Sequence, residues 1–191
     1  MTPVRRMGPK GSEAWHAMLD GARHILQERG YGELTSRSLA DHIGVKQRLV
    51  YYYFATMDEL IVETFRRSAR REIERLEQAV SSNHSLHEIW KVFVQTADTK
   101  LVSEFMALAN RIDGLRKEVS AHIDACRRLQ VSALERAMAS RATASPIPAV
   151  AVTIFANAAG LALHREAELG ISLGHAEVMK VIADFIERYD A

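Results

Sequence analysis

The chain has 191 residues, of which 48% are apolar and 26% charged, so it can build a globular core and is neither disordered nor a stapled miniprotein. Its 25 Lys and Arg residues against 24 Asp and Glu residues give a net charge of +1, which points to no partner by itself. The single Cys126 excludes an internal disulfide and a cysteine-based zinc site and fits a reducing cytoplasm, while 4 Pro and 10 Gly are too few for the turns of an all-β fold.

No segment of the sequence has the hydropathy pattern of a membrane span or an export signal. Residues Met1–Gly11 are basic and polar without an apolar region behind them, so they do not form a secretory signal. The longest apolar stretch, Ile147–Leu163, is shorter than the about 20 residues that a spanning helix needs. It is therefore predicted to be a buried helix, and the protein is expected in the cytoplasm.

Apolar residues recur at helical spacing along nearly the whole chain. The stripe from Trp15 to Leu26 predicts a first helix that Gly30 ends, and the stripe from Ile61 to Val80 predicts one long helix from about Met57. Further helices are predicted from Ser85, over Leu101–Arg111, from Asp113 to about Ser140, after Pro148 and along the stripe from Val178 to Tyr189. The sequence therefore predicts an all-α fold of about nine helices without a strand.

Two short helices separated by a glycine are predicted between Thr35 and Phe54. Gly44 permits a tight turn between them, and Val50 and Phe54 are the i, i+4 anchors that bury one side of the second helix. Two helices set roughly 90–120° apart by such a short turn form a helix-turn-helix.

The opposite side of that second helix carries Gln47, Arg48, Tyr51 and Tyr52. Gln can bond adenine and Arg can bond guanine through two hydrogen bonds, while Tyr hydroxyls and helix N-terminal amides hold phosphates. The three adjacent tyrosines, residues 51–53, argue against an ordinary solvated helix pair, because exposed aromatic side chains need a partner surface. A small excess of Lys and Arg in residues 1–70 agrees with an anionic partner. The face predicts binding to double-stranded DNA.

A family resemblance is carried by the segments Ala22–Arg23, Gly30–Tyr31, Leu34–Ala40, Gly44–Val45, Val50–Phe54 and Glu59–Leu60. In these segments and their spacing, residues 15–60 resemble the DNA-binding domain of the TetR (tetracycline-repressor) family of transcriptional regulators. The resemblance implies an all-helical homodimer with a helix-turn-helix domain at residues 12–56 and an effector-binding and dimerisation domain at residues 57–191. It implies a regulator rather than an enzyme, needing no cofactor, usually a repressor that leaves a palindromic operator when a small molecule binds.

The resemblance also implies roles for single residues. The residues expected to face bases or the groove wall are Gln47, Arg48, Leu49 and Tyr51. Thr35 and Tyr52 are expected to hold phosphates, and Arg37 to reach a base or a phosphate. Ser36 and Lys46 are also expected to belong to the DNA-binding site.

The sequence departs from the family pattern at three positions. Arg48 stands where Gly or Pro is frequent, Leu49 where a small residue is frequent, and Met57 where a Lys often grips a phosphate. Operator sequences of other family members therefore do not transfer to this chain.

The larger C-terminal part contains bulky apolar residues and a few polar ones that suit a ligand pocket, since such pockets are mostly apolar. The predicted effector-binding residues are Trp90, Phe93, Phe105, Met106, His122 and Asn157, and they favour a largely apolar, roughly drug-sized ligand. The last two helices are predicted to form the dimer seam, with Ala156, Gly160, Val178, Ile182 and Phe185 at the interface. The long helix from Met57 to Val80 is the predicted lever between the two parts.

Three weaker signals each have an ordinary structural explanation. Gly170–Gly174 matches the G-x-S-x-G pattern of hydrolases, which requires a strand-to-helix turn, and here a loop between helices is predicted. His84 and His87 are too few ligands for a metal, so no metal site is predicted. Cys126 lies on an apolar helical stripe beside Arg127 and Arg128, and both inert packing and a redox role stay open.

Two functions of different classes compete, with a helical hydrolase a distant third. One is a DNA-binding regulator, and the other is a helical oligomerisation or binding module that does not bind DNA. The polar face of the second short helix favours the regulator.

Overall fold

A computed structural model describes residues 8–81, 87, 90, 99–139 and 147–190. Within these ranges the chain forms eight α-helices and one 3₁₀ turn, and no strand. In chain order they are α1 (Glu13–Arg29), the 3₁₀ turn (Tyr31–Glu33), α2 (Ser36–His42), α3 (Gln47–Tyr53), α4 (Met57–Ser81), α5 (Thr99–Ala109), α6 (Asp113–Ala139), α7 (Ala149–Glu168) and α8 (His175–Asp190). The all-α prediction is confirmed. The helix predicted from Ser85, with Phe93 on its face, falls almost wholly outside the described residues, as does His84.

The chain divides into two compact units. The N-terminal unit contains Met1–Ala69 and Lys100–Ser120, and the C-terminal unit contains Arg70–Thr99 and Ala121–Ala191. Helices α4 and α6 each contribute residues to both units. This division by packing differs from the predicted division at residue 56, because the first turns of α4 bury Leu60, Ile61 and Thr64 in the N-terminal unit.

The N-terminal unit has a closed apolar core. Ser12 caps α1 by accepting a hydrogen bond from the Trp15 amide at 3.3 Å, and Gly30 ends the helix at a φ of 78°. The ring of Trp15 stacks on that of Phe54 with centroids 6.4 Å apart. Other side chains that are almost fully buried here are Met18, Leu19, Ile25, Leu26, Leu39, Val50, Leu60, Ile61 and Leu115.

Gly21 allows α1 and α2 to approach each other closely. A Cβ atom at this position would lie 2.7 Å from Ile43 Cγ2 and 2.9 Å from Leu39 Cδ1, well inside van der Waals contact. The absence of a side chain at Gly21 therefore sets the position of α2, and with it the helix-turn-helix.

The C-terminal unit is built on α6, α7 and α8. Its buried cluster comprises Ala133 and Leu134 of α6, Ala149 of α7 and Ile186 of α8, with Trp90 partly buried against them. The segment Val150–Ile154 is helical as predicted, but α7 is not the buried helix that its composition suggested. Only three of its residues are buried, and one side of the helix is uncovered in the single chain. No described helix is long and apolar enough to cross a membrane.

Candidate nucleic-acid interface and ligand cavity

The start of α2 is fixed by a reciprocal capping box. The Thr35 hydroxyl oxygen accepts a hydrogen bond from the Ser38 amide at 3.0 Å, and the Ser38 hydroxyl oxygen accepts one from the Thr35 amide at 3.0 Å. After α2, Gly44 turns the chain at a φ of 70°, in the left-handed region that favours glycine. The cap and the turn together hold α2 and α3 as a helix-turn-helix.

Helix α3 has one buried and one exposed side, as predicted. Val50 is 1% exposed, and so is Phe54, which follows the helix. The residues predicted to read DNA point away from that core: Gln47, Arg48, Tyr51 and Tyr52 are exposed, and Leu49 is half-buried.

Ser36 connects the two helices from behind this surface. Its hydroxyl accepts a hydrogen bond from Gln47 Nε2 at 2.8 Å and donates one to the Tyr51 hydroxyl at 3.0 Å. Ser36 itself is only 6% exposed. Ser36, which is among the predicted DNA-binding residues, therefore orients Gln47 and Tyr51 from a buried position.

The three adjacent tyrosines do not share one environment. Tyr51 and Tyr52 are 38% and 43% exposed, but Tyr53 is buried, and its hydroxyl accepts a hydrogen bond from Ser12 at 3.1 Å. The inference that all three form an exposed aromatic surface is wrong at Tyr53, because its place on the helix brings its ring to α1. The argument for an exposed aromatic surface therefore depends on Tyr51 and Tyr52 alone.

Exposed cations lie at the starts of α2 and α3. Arg37 at the start of α2 is 84% exposed and lies 3.9 Å from Asp41, while Lys46 and Arg48 are exposed at the start of α3. The contact with Asp41 is long and solvated, so it holds the guanidinium weakly.

Other cations of the same unit are held by nearby carboxylates. Lys10 pairs with Glu63 at 2.9 Å, and Arg67 pairs with Asp20. Arg66 bonds Glu118 at 2.7 Å and also Glu63, and the bond to Glu118 contributes most to raising the pKa of its guanidinium. These ion pairs reduce the positive charge that Lys10, Arg66 and Arg67 can offer to a phosphate.

The N-terminus of α4 is already capped by side chains. The Thr56 hydroxyl accepts a hydrogen bond from the Glu59 amide at 3.1 Å, and the Glu59 carboxylate accepts one from the Ala55 amide at 2.8 Å. Met57 brings no cation to this end, and the Glu59 carboxylate is a negative charge beside it. This helix end is poorly suited to hold a phosphate.

The C-terminal unit contains a cavity of about 480 Å³ lined by side chains of α6, α7 and α8. Most of its lining is apolar, including Leu134, Ile182 and Phe185. Gln130 and Asn157 supply polar groups and bond each other through both amides, at 2.7 and 3.2 Å. A cavity of this size with few polar groups is typical of a small-molecule site.

The predicted effector-binding residues separate into different places. Trp90 and Asn157 line the cavity, whereas Phe105 is 4% exposed in the N-terminal unit, with its ring 5.1 Å from that of Phe65. Met106 is exposed on α5. Hydropathy marks a residue as apolar but does not say which of two cores it joins, and Phe105 joins the other one.

Two other residues, His122 and Phe93, were also predicted to bind the effector. His122 bonds Glu72 rather than lining the cavity, and Phe93 lies outside the described residues. Gln130, which was not predicted, is the polar partner of Asn157. The feature of the sequence that could have identified Gln130 is its place, as a polar residue, among the apolar residues of a long helix.

The predicted dimer seam overlaps the cavity. Ala156, Val178, Ile182 and Phe185 line it, and Gly160 is buried. The most exposed apolar side chains of the lining are instead Phe155 and Val181, each 68% exposed. The G-x-S-x-G segment, Gly170–Gly174, lies in the loop between α7 and α8, as predicted.

These observations define an all-helical protein whose N-terminal helix-turn-helix exposes the polar side of its second helix. Residues 18–64 match the model of the bacterial regulatory proteins of the tetR family. Over 100 residues the chain is 32% identical to the HTH-type transcriptional repressor Rv1474c of Mycobacterium tuberculosis. That match covers 52% of this chain and 48% of the repressor, so the chain spans about half the length of the curated relative it matches. The N-terminal part of the chain is therefore similar to the bacterial regulatory proteins of the tetR family.

Solved structures share the fold at low sequence identity. A Saccharomonospora viridis protein described as a transcriptional regulator, in complex with choline, is 16% identical with a TM-score of 0.74, covering 92% of this chain and 96% of its own. A TetR transcription regulator from Haloarcula marismortui is 14% identical with a TM-score of 0.72, over 92% and 97% of the chains. The ketosteroid transcriptional regulator KstR2 of Mycobacterium tuberculosis is 19% identical with a TM-score of 0.68, over 98% and 100%. The family and these neighbours are transcriptional regulators, not enzymes.

Proposed function

We propose that this chain is a cytoplasmic transcriptional repressor that binds a palindromic DNA operator as a homodimer and leaves it when a small, largely apolar effector binds. The observation that carries the proposal is the exposed side of α3, where Gln47, Arg48, Tyr51 and Tyr52 stand above a fully buried anchor, Val50. This set joins groups that read base edges with groups that hold phosphates.

The internal order of this surface supports sequence-specific reading. Gln47 is held at 2.8 Å by the buried Ser36, which also holds Tyr51. A side chain that is already oriented loses less conformational entropy when it bonds a base. The same arrangement has no evident purpose in an oligomerisation module that does not bind DNA.

The homodimer is supported by the apolar surface of the last two helices. Phe155 and Val181 are each 68% exposed, and Ile154 and Val150 on α7 are 41% and 45% exposed. A contiguous apolar surface on a monomer marks an interaction site. Because a single reading helix contacts only a few base pairs, a two-fold dimer with a palindromic operator supplies the second half-site.

The effector is proposed to occupy the cavity of about 480 Å³ beside this surface. Its apolar walls favour an apolar ligand, and the Gln130–Asn157 amide pair offers both donors and acceptors to one polar group. One structural neighbour was solved in complex with choline, and another is described as a ketosteroid transcriptional regulator.

Release requires the effector to bind one arrangement of the dimer more tightly than the other. Helices α4 and α6 each have residues in both units and are the proposed route of coupling. Changing the separation of the two reading helices from about 34–36 Å would remove one half-site from reach.

A gel-shift titration tests the proposal with duplexes from the region directly upstream of the gene. The expected result is a complex of two chains per duplex that survives competition by unrelated DNA, and that small apolar compounds dissociate. A stable dimer that binds none of the duplexes would support the oligomerisation module instead, and binding of all duplexes with equal affinity would contradict a specific operator.

A further inference from the structure

Three side chains with metal-ligating atoms meet in the C-terminal unit, apart from the cavity. Glu72 lies on α4, and His122 and Cys126 lie four residues apart on one face of α6. Their ligand atoms all lie within 4.8 Å of one another. The cluster combines a carboxylate, an imidazole and a thiol, which are the three side-chain types that bind zinc.

Two of the three distances between the ligand atoms are close to those around a tetrahedral ion. With bonds of about 2.3 Å to sulfur and 2.0–2.1 Å to nitrogen or oxygen, neighbouring ligand atoms of a zinc site lie about 3.3–3.6 Å apart. Here His122 Nε2 is 3.2 Å from Glu72 Oε2 and 3.6 Å from Cys126 Sγ. The third pair, Glu72 and Cys126, lies within 4.8 Å, so side-chain movements would have to bring these two groups closer for an ion to reach all three atoms.

The surroundings allow an ion to enter and a water molecule to complete its coordination. Side-chain exposure is 39% for Glu72 and 14% for His122, and Cys126 is half-buried. A carboxylate and a thiolate together balance the two positive charges of a divalent cation. Without an ion, burial above all, with Glu72 adding to it, raises the pKa of the Cys126 thiol to about 12, so that the thiol keeps its proton.

We propose that Glu72, His122 and Cys126 form a binding site for a zinc-type divalent cation, with water as the fourth ligand. On binding, Cys126 releases its proton to solvent, and its sulfur bonds the metal as a thiolate. The ion ties α4 to α6 within the C-terminal unit. The site goes beyond the proposed regulatory function and does not depend on DNA binding.

The chain contains a matched pair that lacks the thiol. His175 Nε2 lies 3.0 Å from Glu166 Oε2, which is the same type of hydrogen bond as that between His122 and Glu72. No cysteine joins this pair, since Cys126 is the only one in the chain. If a His–Glu pair were sufficient, both places would bind the ion equally. We expect only the full cluster of Glu72, His122 and Cys126 to bind it.

Cobalt(II) is the direct probe, because its absorption reports thiolate coordination. Tag-free protein, stripped with a chelator that is then removed, is titrated with Co²⁺ and afterwards with Zn²⁺. The expected result is one Co²⁺ per chain, a near-ultraviolet sulfur-to-cobalt band, and loss of that band as Zn²⁺ displaces Co²⁺. Absence of the band in the folded wild-type protein would overturn the proposal.

Variants assign the ligands. Cys126→Ser should abolish the band, and Glu72→Gln and His122→Gln should each weaken zinc affinity more than about 100-fold, beyond the effect usual for an outer-shell partner. His175→Gln should leave the affinity unchanged. Zn²⁺ should also raise the melting temperature of the wild type and not that of the three ligand variants. Affinity retained in Glu72→Gln, whose side chain is partly exposed and tolerant of change, would contradict the three-ligand site even if another variant fails to fold.

Discussion

The N-terminal and C-terminal units bury their apolar residues to different degrees. In the helix-turn-helix the anchors Val50 and Phe54 are 1% exposed, and the exposed side of α3 is polar. In the C-terminal unit Phe155 and Val181 are 68% exposed on α7 and α8. The first unit completes its core within one chain and offers hydrogen-bonding groups, whereas the second leaves apolar surface for a partner or a ligand. Variants in each unit should therefore fail in different assays.

The largest effect is expected from a charge on the uncovered apolar surface. Val181→Asp should convert the proposed dimer to monomers, because an unpaired buried carboxylate costs several kcal/mol, on the order of 3–5. Sedimentation velocity measures the change, and operator affinity should fall with it. Lys180→Asp places the same carboxylate at the neighbouring exposed position and should leave the dimer intact. A Val181→Asp protein that stays dimeric would place the interface elsewhere.

The close approach at Gly21 gives the next prediction, in the unit whose core is closed. Gly21→Val should lower the free energy of unfolding by about 1–3 kcal/mol, because the added atoms overlap Ile43 and Leu39 of the helix-turn-helix segment. Chemical denaturation measures this. Gly32→Val is the control, since a Cβ at Gly32 meets nothing within 4 Å. Equal stability of the two variants would show that α2 shifts without cost.

Arg48→Ala tests the reading surface without touching either core. We expect a loss of about 1–3 kcal/mol in operator binding and a relaxed preference at one base pair, as for a guanidinium that bonds guanine. Fluorescence anisotropy with operator variants measures both. Arg188→Ala removes another exposed arginine, on α8, and should change neither. Equal weakening on every DNA sequence would mean that Arg48 holds a phosphate.

The sequence predicted the N-terminal unit better than the C-terminal one for a physical reason. The exposed side of α3 follows from i, i+4 spacing within seven residues, so Gln47 and Tyr51 could be placed without knowledge of any other helix. Phe105 and Trp90 are both bulky aromatic residues, yet Phe105 packs against Phe65 and Trp90 lines the cavity. Only the arrangement of the helices decides between those environments.

Long-range pairs were likewise out of reach. Glu72 and His122 are 50 residues apart, and Gln130 and Asn157 are 27 apart. Neither separation has a local pattern that predicts contact. The absence of a metal site was predicted because one cysteine and two neighbouring histidines are too few ligands. That reasoning considered only ligands close together in sequence.

The smallest effects are expected from single hydroxyl groups on and behind α3. Tyr52→Phe removes a proposed phosphate contact and should weaken binding to all duplexes alike, by about 0.5–1.5 kcal/mol. The anisotropy titrations used for Arg48 measure it. A change in base preference would instead place the Tyr52 hydroxyl at a base.

Ser36→Ala should weaken operator binding by a similar amount, but it should affect specific and non-specific DNA differently. The hydroxyl of Ser36 bonds both Gln47 and Tyr51, so its loss removes one hydrogen bond from each of two side chains on the reading surface. Operator affinity should fall by about 0.5–1.5 kcal/mol, the usual net worth of one hydrogen bond, while affinity for unrelated DNA stays the same. The ratio of the two affinities, measured at one salt concentration, therefore decreases for Ser36→Ala and stays constant for Tyr52→Phe. A constant ratio in both variants would show that Gln47 is not positioned by Ser36 for reading a base.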